Sequence, residues 1–249
     1  MPRSSTRREA MKERRRLRQQ KERRNMLLIG GGIVIIILAI IIAPAIYRAV
    51  VPTPPVGDFT RITPVVRPNE NGTSMGDPNA PVKMDVWEDF QCPSCQNYSD
   101  NVEPQVIETY IKTGKVFYTF HQYPFLDTNS PTKESQQAAN ASMCASEQGR
   151  FWDYRDILFA NWQGENQGYL ADNRLIAFAE SLGLDMTKFN ACFKADKYAS
   201  QIQADFNLGK QMGVTGTPSV FVNGQILTPG YIPQFTDIQK AVEAALAAN

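Results

Sequence analysis

The chain has 249 residues, 43% of them hydrophobic and 20% charged, with 16 each of glycine and proline, a composition that excludes collagen, wholesale disorder and a polytopic membrane protein. The net charge of +1 hides a split: residues 1–25 carry 11 Lys/Arg against 3 Asp/Glu, and the remainder carries 15 against 22. Four cysteines are too few for a disulfide-built scaffold in a chain long enough to bury its own core, so they need another explanation.

Residues 26–47 carry no charge and are apolar all round, which a soluble amphipathic helix would not be. At about 1.5 Å per residue they match a hydrocarbon core of roughly 30 Å, and they predict a single transmembrane helix. Ala43-Pro44-Ala45 has the small-x-small form of a signal-peptidase site. The apolar length and the long basic arm before it favour an uncleaved anchor. The arm at 1–25 holds the N-terminus in the cytoplasm and places everything after Tyr47 outside. That reading is preferred to a nucleic-acid patch, so the expected partner here is the membrane, not nucleic acid. Residues 48–75, with Pro52, Pro54, Pro55, Pro64 and Pro68, read as a Pro-rich linker, partly polyproline II.

Residues 76–249 make the outer domain. Val82, Met84 and Val86 alternate in a stretch ending at Phe90, which predicts a strand. Val102, Val106, Ile107, Tyr110 and Ile111 then fall at helical spacing over Gln96–Thr113, ahead of Gly114. Lys115–Phe120 supplies a second strand, and strand-helix-strand order implies a parallel pair.

Cys92-Pro93-Ser94-Cys95 therefore lies where a strand gives way to a helix. A helix N-terminus presents unpaired N–H groups and about half a positive charge, which stabilises a thiolate. Cys92 is the expected nucleophile, with its pKa lowered as in Cys-X-X-Cys motifs generally. Pro93 suits the first helical turn, and Ser94 completes the active-site turn. Cys95, one turn on, can attack a mixed disulfide at Cys92 and release its partner. Half of a zinc site is the rival reading. With one histidine in the chain, His121, and the other cysteines far away in sequence, no metal and no cofactor are expected. A merely structural local disulfide would remove little unfolded-state entropy.

Several segments carry a family resemblance: Gly76-Asp77-Pro78-Asn79-Ala80-Pro81-Val82, Asp89-Phe90-Gln91-Cys92-Pro93-Ser94-Cys95, Gln148-Gly149-Arg150-Phe151-Trp152 and Gly213-Val214-Thr215-Gly216-Thr217-Pro218. Together they resemble the DsbA-like branch of the thioredoxin superfamily. The resemblance implies an α/β thioredoxin fold with a helical insertion at about 131–212, beside the active site. It also implies a cis proline at Pro218 after Thr217, where free backbone groups would pair with an extended substrate segment. Without it, Gly216–Pro218 would read as a turn before the strand Ser219–Val222, with Asn223-Gly224 as a hairpin signal and a last helix at Pro233–Ala248. Two departures stand out. Ser94 replaces the histidine of the strongest oxidants of the family, and Val86 stands where many relatives bury an acid six positions before the nucleophile. Glu88 or Asp89 could accept the proton of Cys95, or be solvated surface groups. His121 reads as a packed strand residue.

Cys144 and Cys192 fall on separate predicted helices of the insertion. Outside the membrane thiols tend to be oxidised, and pairing Cys92 with Cys95 leaves these two for a structural disulfide, against two separately buried thiols. The resulting expectation is a monomeric, membrane-anchored thiol-disulfide oxidoreductase. It would introduce disulfides into reduced or unfolded exported proteins and, as the resemblance implies, be reoxidised by a membrane quinone-linked protein. A reductase or isomerase with the same site, and a non-enzymatic peptide- or metal-binding module, remain as rivals.

Overall fold

A computed structural model describes residue 26 and residues 56–130, 132–228 and 232–248. The expected basic arm, membrane span and small-x-small site lie outside the described residues, apart from Met26. Among the described residues no helix is long and apolar enough to cross a membrane.

The chain runs through β1 (Ser74–Met75), β2 (Val82–Glu88), α1 (Pro93–Asn101), α2 (Glu103–Val106), a π-helical turn (Ile107–Ile111), β3 (Val116–Gln122) and a 3-10 turn (Phe125–Asn129). Five helices follow: α3 (Glu134–Ser146), α4 (Phe151–Ala160), α5 (Asp172–Ser181), α6 (Met186–Lys194) and α7 (Ala199–Gln211). The chain then returns through β4 (Ser219–Val222), β5 (Gln225–Ile226) and α8 (Phe235–Ala247). The sheet order is β1-β3-β2-β4-β5. Among the described strands only β2 and β3 are parallel, with Val86 opposite Phe120 and Trp87 opposite His121. This is a thioredoxin-like α/β fold with a helical insertion.

The period of two in β2 sorts its side chains between two cores. Val82, Met84 and Val86 join the main core with Tyr118, Phe120 and Val220, and with Phe151, Trp152 and Phe178 of the insertion. Trp87 faces the other way, into a smaller cluster with Tyr123, Val214 and Phe221. Helix α7 covers that second face at Gly209, where an added Cβ would lie 2.8 Å from both Trp87 Cδ1 and Tyr123 Cε2. Only a residue without a side chain lets the helix come so close. Helix α8 starts at a capping box between Gln234 and Asp237.

Two stretches differ from the sequence expectation. The single helix expected over 96–113 is broken at Val102, because Pro104 has no N–H to bond the preceding turn. The described part of the Pro-rich segment, 56–75, lies against the domain. Phe59 meets Phe178 edge-on at 5.1 Å, and Thr60 N and O pair with the Asn161 side chain at 2.7 and 2.8 Å. Arg67 donates to both carboxylate oxygens of Asp156 at 2.7 and 2.8 Å while its guanidinium covers Trp152. An aromatic and an arginine at spaced positions were enough to fasten a segment that has no periodic pattern.

Candidate active site

β2 ends because Asp89 turns the chain. Its Oδ1 accepts from Gln91 N at 2.9 Å and its carbonyl from Cys92 N at 3.0 Å. Leu126 N and Ser135 Oγ donate to the same carboxylate at 3.1 and 2.6 Å, so the turn is held from two neighbouring segments. Cys92 thus emerges as the N-cap of α1, with Pro93 in the first turn and no acidic residue there to offset the helix dipole. An N-cap side chain normally accepts from the first free N–H groups; here the cap residue carries a thiol, which makes no side-chain cap hydrogen bond.

The two thiols are free, and both are buried. The Cys92 thiol is pulled down to about 6 by a hydrogen bond from Cys95, against the upward push of burial, with further help from Thr217 and the N–H groups of Cys95 and Ser94. Burial pushes the Cys95 thiol well above its ordinary value, and the charges of Cys92 and Glu88 add to this. The two sulfurs are therefore unlike: one is ionised at neutral pH, the other holds its proton.

The loop before β4 closes over this pair. Cys92 Sγ lies 3.2 Å from the carbonyl oxygen of Thr217, and the Thr217–Pro218 peptide is cis. Ser94, Thr217, Pro218, Leu227 and Ile232 line a groove of about 280 Å³ alongside. All four residues of the Cys-Pro-Ser-Cys turn and the Thr217–Pro218 pair are thus brought to one place.

Glu88 and Asp89 are buried, at 0% and 2% exposure, and neither is a solvated surface group. Burial raises Glu88 to about 8, against the pull of Arg155, with Glu103 and Cys92 adding to the rise. Burial likewise raises Asp89 to about 7, opposed by its hydrogen bonds from Ser135, Gln91 and Leu126. Arg155 Nη2 donates to Glu88 Oε1 at 3.2 Å and to Glu103 Oε2 at 2.6 Å, and Nη1 donates to Glu103 Oε1 at 3.1 Å. The guanidinium is walled by the rings of Phe120, Trp152 and Phe159.

Sequence reasoning missed Arg155 and Glu103, although a signal was present. Arg155 sits on the same helical stripe as Trp152 and Phe159, where a charge is out of place unless paired. Glu88 continues the inward series of Val82, Met84 and Val86. His121 is packed on the sheet's other face, its ring stacked on Trp87 at 4.2 Å and its Nε2 2.9 Å from Asp85 Oδ1. No cluster of three or more potential metal ligands occurs among the described residues. Away from the site, Cys144 and Cys192 are joined by a disulfide that links α3 to α6, with Cα atoms 5.8 Å apart.

Comparisons with known proteins agree with this geometry. A thioredoxin family model matches residues 68–244. A probable disulfide bond formation protein D of Bacillus cereus is 26% identical over 175 residues, covering 70% of this chain and 78% of that protein. A Na(+)/H(+) antiporter, NhaA 3 of Salinispora tropica, is 33% identical over 150 residues, which are 60% of this chain but only 21% of the antiporter. The crystal structure of oxidised BdbD from Bacillus subtilis superposes with a TM-score of 0.63 at 23% identity, over 71% of this chain and 93% of that one.

Proposed function

The chain belongs to the thioredoxin family and is a DsbA-like thiol-disulfide oxidoreductase, and from that premise we propose that it is a dithiol oxidase for exported proteins, working through Cys92 and Cys95. The observation that carries this direction of reaction is the depressed pKa of Cys92, about 6, at the start of α1. A stabilised thiolate favours the reduced enzyme, which makes the enzyme's disulfide the better oxidant.

In the cycle proposed, a substrate thiolate attacks Cys92 Sγ of the Cys92–Cys95 disulfide. The enzyme's S–S bond breaks, a mixed disulfide forms, and Cys95 leaves and is protonated. A second substrate thiolate then attacks the substrate sulfur, and Cys92 departs as a stable thiolate. The substrate dithiol has lost two electrons and two protons; the enzyme has gained both electrons and one proton. A low-pKa leaving group departs quickly, which suits Cys92 to this second displacement.

Thr217 and Pro218 flank the sulfur and border the groove, so an extended substrate segment laid there would place its cysteine over Cys92. Return to the disulfide form is assigned to a membrane quinone-linked partner. The span at 26–47 would hold the domain on the outer side of the membrane. Equilibrating the Cys92–Cys95 pair with glutathione buffers tests the direction. An oxidase should fall at or above about −180 mV, and a value near thioredoxin's −270 mV or so would make the chain a reductase. A Cys95→Ala variant should accumulate mixed disulfides with its substrates.

A further inference from the structure

Gln91, buried at 1% exposure, immediately precedes Cys92, and both of its carbonyl groups accept hydrogen bonds from one loop of the insertion, 161–171. The indole N–H of Trp162 donates to the main-chain carbonyl at 2.6 Å, and Asn166 N donates to the side-chain Oε1 at 2.6 Å. The side-chain Nε2 donates to Ser135 Oγ at 2.8 Å and points to Asp127 Oδ1 at 3.4 Å. The peptide that joins Gln91 to Cys92 is therefore held at both of its polar atoms, its oxygen by Trp162 and its N–H by the Asp89 carbonyl at 3.0 Å.

The loop is itself fastened on both sides of that contact. At its start the Asn161 side chain pairs with Thr60 N and O at 2.7 and 2.8 Å. At its end the buried Glu134 carboxylate accepts from Gly168 N and Leu170 N, each at 3.0 Å. Between them Asn166 takes a left-handed φ of 56°, a conformation that is costly outside glycine and persists where neighbouring contacts enforce it. Its Oδ1 accepts from Ser130 Oγ at 2.6 Å and from Thr132 Oγ1 at 2.9 Å. Of the three tryptophans, Trp87 and Trp152 are buried in the two cores, whereas Trp162 is half-buried, so core packing does not account for it.

We propose that Trp162 is a positioning residue for thiol exchange, fixing Cys92 through the Gln91 carbonyl while the Gln91 side chain holds the loop that carries the indole. This role rests on Cys92 being the nucleophile of the reaction proposed above, and adds what keeps its sulfur in place. In a displacement at sulfur the attacking, attacked and leaving atoms lie nearly in line, so a small shift of residue 92 costs rate. The thiolate depends on the same alignment, because its support comes from Cys95, Thr217 and the N–H groups of α1. No proton or electron passes through Trp162.

Full-length parent is to be compared with Trp162→Phe, which keeps a ring but lacks the N–H. Reduction of the oxidised variant by a small dithiol should be slower by about ten- to a hundredfold. The half-point of Cys92 alkylation in the reduced variant should lie at higher pH than in the parent. Gln91→Leu, which keeps the volume but gives up the bond to Asn166, should move both readouts the same way. The two changes together should add little beyond either alone, since both act through one contact. A Trp162→Phe protein that loses stability but keeps the parental rate and half-point has lost a structural bond only, and overturns the assignment; so do fully additive effects of the two changes. If a variant does not fold, the parent decides: the Trp162 indole N–H resonance of the reduced protein should shift with the same half-point as Cys92 alkylation, and a resonance that stays fixed overturns the assignment. Absence of any dithiol exchange in the parent would sink the functional reading and this role with it, whereas parental exchange in Trp162→Phe sinks the role alone.

Discussion

Cys92 Sγ and the carbonyl oxygen of Thr217 lie 3.2 Å apart across a sequence separation of 125 residues. The contact joins the first turn of α1 to the loop before β4, so the sulfur sits where two distant parts of the fold meet. Its environment is set by both: N–H groups of α1 from one side, Thr217 from the other.

The first expectation concerns the folded stability of the reduced protein. The Cys92 thiol is lowered from an ordinary 9.0 to about 6. Its contribution to stability is therefore fully present above pH 9, declines as pH falls, and is gone below about 6. Three pK units correspond to something on the order of 4 kcal/mol. Urea unfolding of the reduced protein and of Cys92→Ser should diverge as pH rises from 6 to 9. Parallel curves across that range would show that the thiolate is not stabilised by folding. Alkylation of Cys92 should show its half-point near pH 6.

Replacing Arg155 tests the buried charges. Arg155→Met keeps much of the volume among Phe120, Trp152 and Phe159 but leaves Glu88 and Glu103 without their shared cation. Breaking a buried pair from one side costs about 3–5 kcal/mol. Adding Glu88→Gln and Glu103→Gln to Arg155→Met should recover much of that loss, since no uncompensated charge would remain. Denaturation midpoints of the three proteins decide it.

Much of this site could be read along the chain, and the parts that could not share a physical reason. The Cys-Pro-Ser-Cys turn is local: a strand, a proline suited to a first turn and a following helical stripe are all within twenty residues. The cysteines of the insertion were also legible, because the active-site pair left them only each other. What escaped was what depends on tertiary contact. Glu103 and Arg155 are 52 residues apart, and nothing in either one's neighbourhood names the other. The Thr60–Asn161 and Arg67–Asp156 contacts likewise span about a hundred residues, so the strap at 56–75 looked like a free spacer. Pro104 was readable, and its missing N–H accounts for the helix break at Val102.

The Cys144–Cys192 disulfide lies outside the reacting site and closes a loop with a sequence separation of 48. Cys144→Ser with Cys192→Ser should therefore lower stability by about 4 kcal/mol under the loop-entropy account, with the Cys92–Cys95 potential unchanged. A potential shifted in the double variant would mean that the insertion's packing reaches the thiols.

Ser94 borders the groove and follows Cys92 by two positions. An imidazole there would add a positive partner for the thiolate, so Ser94→His should lower the Cys92 pKa and make the pair more oxidising. A shift of roughly half a unit to one unit in the alkylation profile is the expected size. An unchanged profile would show that the hydrogen bond from Cys95 and the N–H groups of α1 already determine the thiol's ionisation.

His121 offers a pH test on the opposite face of the sheet. Burial by itself would lower its pKa, yet the carboxylates of Asp205 and Asp85 outweigh it and hold the ring at about 9. The cation lies between Asp85 Oδ1 at 2.9 Å and Asp205 Oδ1 at 3.7 Å, and stacks on Trp87. Through Asp205 it ties β2 and β3 to α7, the helix that leads into the Thr217 loop. Because the folded value lies above the ordinary 6.5, the stabilisation is complete below about pH 6.5 and is lost as pH rises through 9. Both carboxylates are partly exposed, so solvent screening holds the gain to between about 1 and 3 kcal/mol. The parent should exceed His121→Gln by that amount at pH 6, and the gap should close by pH 10. A constant gap would assign the residue's worth to stacking on Trp87 instead of charge.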